Sequence, residues 1–200
     1  MNLDSSVELS VYDIGAHKGY WALEWLKYCP NSKFFLFEAN NSFNSRLTQV
    51  GKVFNVVLGD KSKKVKFFSI NGTGDSYYKE NSVFYEHVNP IKKQVSTLDE
   101  IVSSENLLSP DVIKIDTQGS ELDILQGASK TIKNALILII ECRLATHQNM
   151  SAPGVSEVIK FLEKHGFQPF KILEIHINQT GLIIEIDIVF KNEKKKYNFK

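Results

Sequence analysis

The sequence predicts an α/β fold with a mostly parallel sheet that ends in an antiparallel hairpin. Over residues 9–60, short apolar segments alternate with segments of helical period, which is the order of a doubly wound sheet. Residues 135–140 are the most apolar run of the chain, as a central strand covered on both faces requires. Residues 168–177 and 182–190 flank a short turn at residues 178–181, so the last strand must run antiparallel to its neighbour.

The remaining elements follow from local patterns. The first strand, residues 9–14, breaks at Gly15 and Gly19 and gives way to a helix through residues 21–26. Thr97 is a suitable N-cap for a later helix, because Glu100 completes a capping box. We predict further strands at residues 33–37, 53–58, 65–70 and 111–115, and further helices at residues 40–50, 97–102, 122–128 and 155–165, the last closed by Gly166.

Length, charge and cysteine content exclude several classes of protein. Two hundred residues fit a single domain, and the 24 basic and 23 acidic side chains nearly cancel, which argues against a nucleic-acid partner. Cys29 and Cys142 lie in different elements without CxxC spacing, which argues against a disulfide framework and a thiolate metal site. Residues 1–8 are too short and polar for a signal peptide, and no apolar run reaches membrane-spanning length. We therefore expect a cytoplasmic protein with no membrane partner.

The alternation of strands and helices lapses over residues 61–95. This stretch contains the predicted strand at residues 65–70, a loop rich in turn-forming residues at positions 71–75, and several aromatic residues without a clear period. An insertion at this place is expected to form a lid or an acceptor-binding surface, and an edge hairpin that only covers the sheet fits the pattern as well. Residues 192–200 are predicted to form a solvated tail.

The glycine turn and the second strand together favour a cofactor that contains adenosine. Gly15 and Gly19 would let a ligand lie against bare backbone at the start of a helix, although the turn could simply need flexible backbone angles. The second strand ends in Glu38, and a carboxylate at this place can accept both hydroxyl hydrogens of a ribose.

Several longer segments point to a known family. They are DIGAHKGY at residues 13–20, FEAN at 37–40, VLGD at 57–60, STLD at 96–99, IKIDTQGSEL at 113–122, LQGA at 125–128, IIE at 139–141 and IDIVF at 186–190. In order and spacing these segments resemble the FkbM family of class I S-adenosylmethionine-dependent methyltransferases. The family commonly has proline where this chain has Ala39, and often glutamate where it has Gln118. The resemblance implies a Rossmann-like fold with a mostly parallel seven-stranded sheet, helices on both faces, and S-adenosylmethionine as the cofactor.

The resemblance also implies which residues contact the cofactor. Glu38 would bind the ribose hydroxyls, and Asp60 would lie near the adenine, although Asp60 could instead cap a helix. Asp13 could alternatively tie down its own loop. The complete predicted set is Asp13, Gly15, Ala16, Gly19, Glu38, Asp60 and Asp116.

Asp116, Glu121 and Glu141 are the acids best placed to act on an acceptor hydroxyl, and Asp116 and Glu141 are predicted to be catalytic. Asp116 is the predicted general base, because it follows the fourth strand of the parallel order, where methyl transfer must take place. Glu141 and Arg143 end the next strand and could hold the acceptor or pair with each other, and Glu121 could simply favour the positive end of its helix. His17 and His147 lie in loops near the same edge, and His147 is the alternative general base. No metal is predicted, although Asp116 and Glu141 could hold a divalent cation.

The resemblance implies an O-methyltransferase that acts on a hydroxyl group of a sugar or another small molecule. A catalytically inactive S-adenosylmethionine-binding interaction module is the alternative, and Gln118 keeps it open. An amino-directed nucleic-acid methyltransferase would need a proline-aromatic motif after the fourth strand, where this chain has Asp116 to Gly119. A nicotinamide oxidoreductase would need Gly-x-Gly-x-x-Gly, and the turn here lacks the first pair of glycines. The acceptor and the oligomeric state do not follow from the sequence.

Overall fold

The computed structural model describes residues 7–70, 72, 74–79, 81–144 and 152–195. Within these residues, ten strands and five α-helices form two sheets and the layers around them. The strands are β1 Ser10–Ile14, β2 Lys33–Phe37, β3 Lys52–Phe54, β4 Val57–Leu58, β5 Lys63–Phe67, β6 Ile91–Ser96, β7 Val112–Ile115, β8 Ile137–Arg143, β9 Phe167–Ile177 and β10 Ile183–Asn192. The helices are α1 Tyr20–Tyr28, α2 Asn44–Leu47, α3 Leu98–Ser104, α4 Glu121–Gly127 and α5 Val155–His165.

Within the described residues, the main sheet has seven strands in the order β3-β2-β1-β7-β8-β10-β9, and only β10 runs antiparallel to the others. Ile14 at the end of β1 lies opposite Phe37 of β2 and Ile115 of β7, and Ile115 lies opposite Ile140 of β8. The carboxyl ends of these strands therefore meet at one edge. The order reverses beside β1, and this is where open α/β sheets bind their ligands.

Both faces of the sheet are covered, as the sequence predicts for its central strands. Alternate side chains such as Ile113 and Leu138 pack with α3, α4 and α5, whereas Val11 and Leu36 pack with α1 and α2 on the other face. All seven residues of β8 are buried. The predicted helices at both faces and the C-terminal hairpin are thus confirmed.

The predicted strand over residues 53–58 is wrong as one element. Lys52–Phe54 pairs with β2 in the main sheet, whereas Val57–Leu58 pairs with β6 in a separate three-stranded sheet of order β4-β6-β5. Asn55 lies at the break, where its side-chain amide donates to the carbonyl oxygen of Glu38. The Val56 amide also donates to this oxygen, at 3.3 Å, so backbone pairing continues past Phe54 before the chain changes sheets.

Other boundaries also differ from the prediction, although the predicted capping is present. The helix expected over residues 40–50 is a 3-10 turn at Asn41–Phe43 followed by the one-turn α2, and the strand expected at 65–70 is β5. The Thr97 hydroxyl accepts from the Glu100 amide, and the Glu100 carboxylate accepts from the Thr97 amide, which forms the predicted capping box. Gly166 closes α5 with a φ of 89°. Among the described residues, no helix has the length and apolar character needed to cross a bilayer.

Candidate cofactor and acceptor site

A cavity of about 390 Å³ opens at the carboxyl edge of the parallel strands. Its walls come from the end of β1 with Gly15, the end of β2 with Glu38, and the loop after β7 with Asp116. Glu141 of β8 lies on one side, and Tyr77 of the inserted segment lies on another. The parallel sheet therefore brings four of the predicted site residues to one cavity.

Gly15 is required by the close approach of two loops. It has a φ of 80°, and a Cβ at this position would lie only 1.8 Å from the carbonyl oxygen of Asp116. Its amide donates to the carbonyl oxygen of Phe37 at 2.9 Å, which joins the ends of β1 and β2. Gly19 also has a positive φ and forms the N-cap of α1. The glycine turn thus satisfies a packing requirement as well as keeping bare backbone beside the cavity.

Glu38 is held in a fixed orientation by backbone donors. One carboxylate oxygen accepts from the His17 amide at 2.7 Å, and the other accepts from the Asn40 amide at 2.7 Å. The side chain is buried, and burial raises its pKa despite the two amide donors, which lower it. Because each carboxylate oxygen has two lone-pair sites, Glu38 keeps capacity for two further donors.

Asp13 lies under the site, fully buried in β1. Neither carboxylate oxygen has a hydrogen-bond donor among the described residues, and burial raises its pKa to about 6. The Lys114 ammonium, 3.9 Å from Asp13 Oδ1, partly opposes that rise. Neither Asp13, Ala16 nor Gly19 belongs to the residues that line the cavity.

Lys114 is a site residue that the sequence reasoning missed. This buried side chain of β7 donates to Asp116 Oδ2 at 2.8 Å and lies between Asp116 and Asp13. Burial disfavours its charge, but the two carboxylates outweigh burial and raise its pKa. A lysine inside the apolar segment VIKI was the available signal, because a buried ammonium needs carboxylate partners.

Asp116 and Glu141 are linked by the side chain of Gln118. Its amide nitrogen donates to Glu141 Oε2 at 2.7 Å and to Asp116 Oδ1 at 3.3 Å. Burial alone would raise the pKa of Asp116, but Lys114 lowers it, whereas burial and the charge of Asp116 raise the pKa of Glu141 well above its usual range. Asp116 is consequently the ionised member of the pair, and about one third of its side chain is exposed.

The side chains of Glu121 and Arg143 bond to neighbouring groups of the protein. The Glu121 carboxylate accepts from the amides of Thr117 and Gly119, both at 3.0 Å, so it stabilises the loop after β7. Arg143 forms an ion pair with Glu185 at 3.1 Å and donates to the Gln118 side chain at 3.3 Å. The structure therefore places Arg143 against Glu185 and Gln118, and it gives the Glu121 carboxylate a local structural role.

Asp60, His17 and His147 differ in their relation to the cavity. Asp60 does not line the cavity; it pairs with Lys63, which lowers its pKa against the effect of burial, and borders a second hollow beside α3. His17 does line the cavity, packs edge-on against Phe43 at 4.5 Å, and has a pKa lowered by burial. His147 lies outside the described residues.

The inserted segment is tied to the main sheet through α4. The hydroxyl groups of Tyr77 and Tyr78 both donate to Asp123 Oδ2, at 2.8 and 3.1 Å. Tyr77 also forms part of the cavity wall, which places the insertion over the site. That the segment moves as a lid stays a prediction.

Comparison with known proteins agrees with this architecture. Residues 13–169 match the family model described as the methyltransferase FkbM domain. The 2-O-methyltransferase NoeI of Sinorhizobium fredii is 27% identical over 150 residues, which are 66% of this chain, and the match spans 62% of that protein's length. The precorrin-6y C5,15-methyltransferase of Geobacter metallireducens has a TM-score of 0.51 at 13% identity, covering 92% of this chain and 79% of the other.

A second solved structure shares the fold. M. capricolum TrmK, solved in complex with S-adenosyl-homocysteine, has a TM-score of 0.52 at 13% identity, with 96% of this chain and 66% of the other covered. The predicted Rossmann-like class I methyltransferase fold is confirmed by these two structural matches.

Proposed function

The chain belongs to the FkbM methyltransferase family, and we propose that it transfers a methyl group from S-adenosylmethionine to a hydroxyl group of a sugar or small-molecule acceptor. The observation that carries this proposal is the meeting of Glu38 and the ionised Asp116 in one cavity. A carboxylate that can accept hydrogen bonds from the ribose hydroxyls and a carboxylate that can accept the acceptor's proton then border the same cavity. The match to NoeI, a 2-O-methyltransferase, supports an oxygen acceptor.

The residues present fit the cofactor. Glu38 has two backbone amides that fix its oxygens and two lone-pair sites that remain for a diol. Gly15 presents backbone without a side chain to the same cavity. S-adenosylmethionine, when bound, supplies a methyl group on a cationic sulfur, so the protein has to align the acceptor and remove its proton.

Asp116 is assigned to proton removal. Its carboxylate is ionised because Lys114 stays charged beside it, and its partial exposure lets an acceptor reach it. Gln118 fixes the orientation of Asp116 relative to Glu141, which we assign to holding the acceptor. The amide at position 118 therefore organises two acids, and its presence does not favour an inactive binding module.

An Asp116→Asn variant tests this assignment. Release of S-adenosylhomocysteine would be measured with wild-type and variant protein over a panel of mono- and oligosaccharides, and S-adenosylmethionine affinity would be measured by calorimetry. We expect turnover to fall about 100-fold or more, while affinity stays within about threefold. Unchanged turnover would contradict the role of Asp116.

A surface variant, Glu105→Gln, is the matched control. Glu105 pairs only with Lys52 at the exposed surface, so the same chemical change there should alter neither quantity. Wild-type protein that binds S-adenosylmethionine but methylates no hydroxyl acceptor of the panel would contradict the proposed acceptor class.

A further inference from the structure

Three metal-binding side chains from three adjacent strands come together beside the cavity. Glu141 of β8, His176 of β9 and Asp187 of β10 each offer a ligand atom, and these atoms all lie within 4.8 Å of one another. Asp187 is the direct cross-strand neighbour of Glu141, and His176 lies opposite Glu185, two residues before Asp187. The hairpin register produces this cluster, which none of the roles assigned above uses as a unit.

The cluster is unfavourable without a cation. Glu141 and Asp187 are carboxyl groups at directly opposed positions of an antiparallel pair, where two negative charges would repel each other unless a cation lay between them. Asp187 Oδ1 is shielded from solvent and has no hydrogen-bond donor among the described residues, and it lies 3.8 Å from His176 Nε2. An oxygen without a donor beside an imidazole nitrogen is the geometry of an unfilled ligand set.

The nearby cations are engaged elsewhere. Arg143 pairs with Glu185, and Lys114 pairs with Asp116 and Asp13. Glu121, also nearby, has its carboxylate oxygens occupied by the loop after β7. Neither Lys114 nor Arg143 is therefore paired with Glu141 or Asp187, and a bound divalent cation would favour the ionised form of both carboxyl groups.

We propose that Glu141, His176 and Asp187 bind one divalent cation of the Mn²⁺ type. One imidazole nitrogen and two carboxylate oxygens form a mixed donor set that suits a first-row transition metal better than Mg²⁺. Glu141 and His176 also line the cavity, so a cation held by the cluster would lie beside the ligand space. This revises the sequence prediction, which contained no metal and considered only Asp116 and Glu141 as cation ligands.

The role of the cation rests on the proposed function. A cation held there would favour loss of the acceptor's hydroxyl proton, and Asp116 would accept that proton. The cation would also fix the acceptor in the cavity next to Asp116, which lies beside Glu141 through Gln118. Glu141 then holds the acceptor through the cation.

Electron paramagnetic resonance of free Mn²⁺ tests the site directly, without any methyl acceptor. Full-length protein, freed of metal with EDTA and dialysed, should bind one equivalent of Mn²⁺ at submillimolar concentration. His176→Ala and Asp187→Asn should each weaken binding more than about tenfold, because even indirect contacts to a metal cost 10- to 100-fold. Glu174→Gln is the matched control, since Glu174 lies opposite Asp187 on β9 but outside the ligand group. The Mn²⁺ affinity of this variant should not change.

Failure of this proposal can be told apart from failure of the proposed function. Wild-type protein that binds no Mn²⁺ at millimolar concentration, or variants that bind it as well as wild type, would overturn the metal site. Methyl transfer that is unaffected by EDTA would overturn the role of the cation while leaving the transferase proposal intact. One equivalent of bound Mn²⁺ lost in both variants, in a protein that transfers no methyl group, would support the site and contradict the function.

The variants should fold, because His176 is about one third exposed and Asp187→Asn keeps the side-chain shape. Equal thermal midpoints in the presence of EDTA would verify this. If His176→Ala lowers the midpoint, His176→Gln retains most of the packing and provides the same measurement of Mn²⁺ affinity.

Discussion

Replacement of Glu38 by glutamine should weaken S-adenosylmethionine binding strongly. In the wild type, both carboxylate oxygens are fixed by amides at 2.7 Å, which leaves one acceptor position on each oxygen for the ribose diol. A hydrogen bond to a charged group contributes about 1.5–3 kcal/mol, whereas a neutral one contributes about 0.5–1.5 kcal/mol. Glutamine keeps one acceptor oxygen and loses the charge, so the expected loss is about 2–3 kcal/mol, which is roughly 30- to 150-fold in Kd.

The same substitution should also destabilise the ligand-free protein. The new amide group must face either the His17 or the Asn40 backbone amide, and a buried donor without an acceptor costs about 1–3 kcal/mol. Thermal unfolding without ligand separates this cost from the loss of affinity. Glu105→Gln, at the exposed surface, should change neither quantity.

Calorimetric titration with S-adenosylmethionine, S-adenosylhomocysteine and NAD would measure the affinity. We expect the two sulfur ligands to bind wild-type protein and to bind Glu38→Gln much more weakly, and we expect no binding of NAD. A Kd within about threefold of wild type for the variant would refute the ribose contact. Binding of NAD alone would refute the assignment of the cofactor.

Three further changes test other parts of the structure. Asp13→Asn should stabilise the ligand-free protein at pH 8. Burial raises the native pKa of Asp13 to about 6, so ionisation of this carboxyl group lowers the free energy of unfolding by about 3 kcal/mol as pH rises from 3.8 to 6. The gain in stability, measured by urea denaturation, should therefore vanish near pH 4. Gly127→Ala should lower the midpoint of thermal unfolding by several degrees, since its Cβ would lie 2.0 Å from the Gly59 carbonyl oxygen, and an unchanged midpoint would contradict that contact. Asn192→Ala should cost about 1–3 kcal/mol in denaturant unfolding, because it leaves the buried carbonyl oxygen of Ala135 without its side-chain donor, and a cost below about 0.5 kcal/mol would count against it.

Several site residues could be predicted because they depend on parallel topology alone. Acids that follow parallel strands collect at one edge whatever the detailed packing, and this placed Glu38, Asp116 and Glu141 in the same cavity. Their grouping at this edge followed from the parallel direction of the strands that they follow. The chemical roles of Asp116, Glu141 and Glu38 stay predictions until the variants are measured.

The placement of Asp60 could not be predicted, because it depends on where one strand ends. An unbroken strand over residues 53–58 would have carried Asp60 to the cofactor edge, but the chain changes sheets after Phe54 and Asp60 pairs with Lys63. Alternating apolar residues show which side of a sheet a residue faces. They do not show to which sheet the strand belongs.

By itself, the sequence determined the order of the elements, the capped helices, the buried central strands and the edge at which the acids of the parallel strands collect, since each depends on residues close together in the chain. Only the tertiary structure decided that Lys114 keeps Asp116 ionised and that Gln118 links Asp116 to Glu141. It also decided that the hairpin register brings His176 and Asp187 beside Glu141. Lys114 and Asp116 are two residues apart, but the contacts of Gln118, His176 and Asp187 with Glu141 join residues that are distant in the chain or lie on neighbouring strands. They depend on strand neighbours and register, which hydrophobic periodicity does not encode.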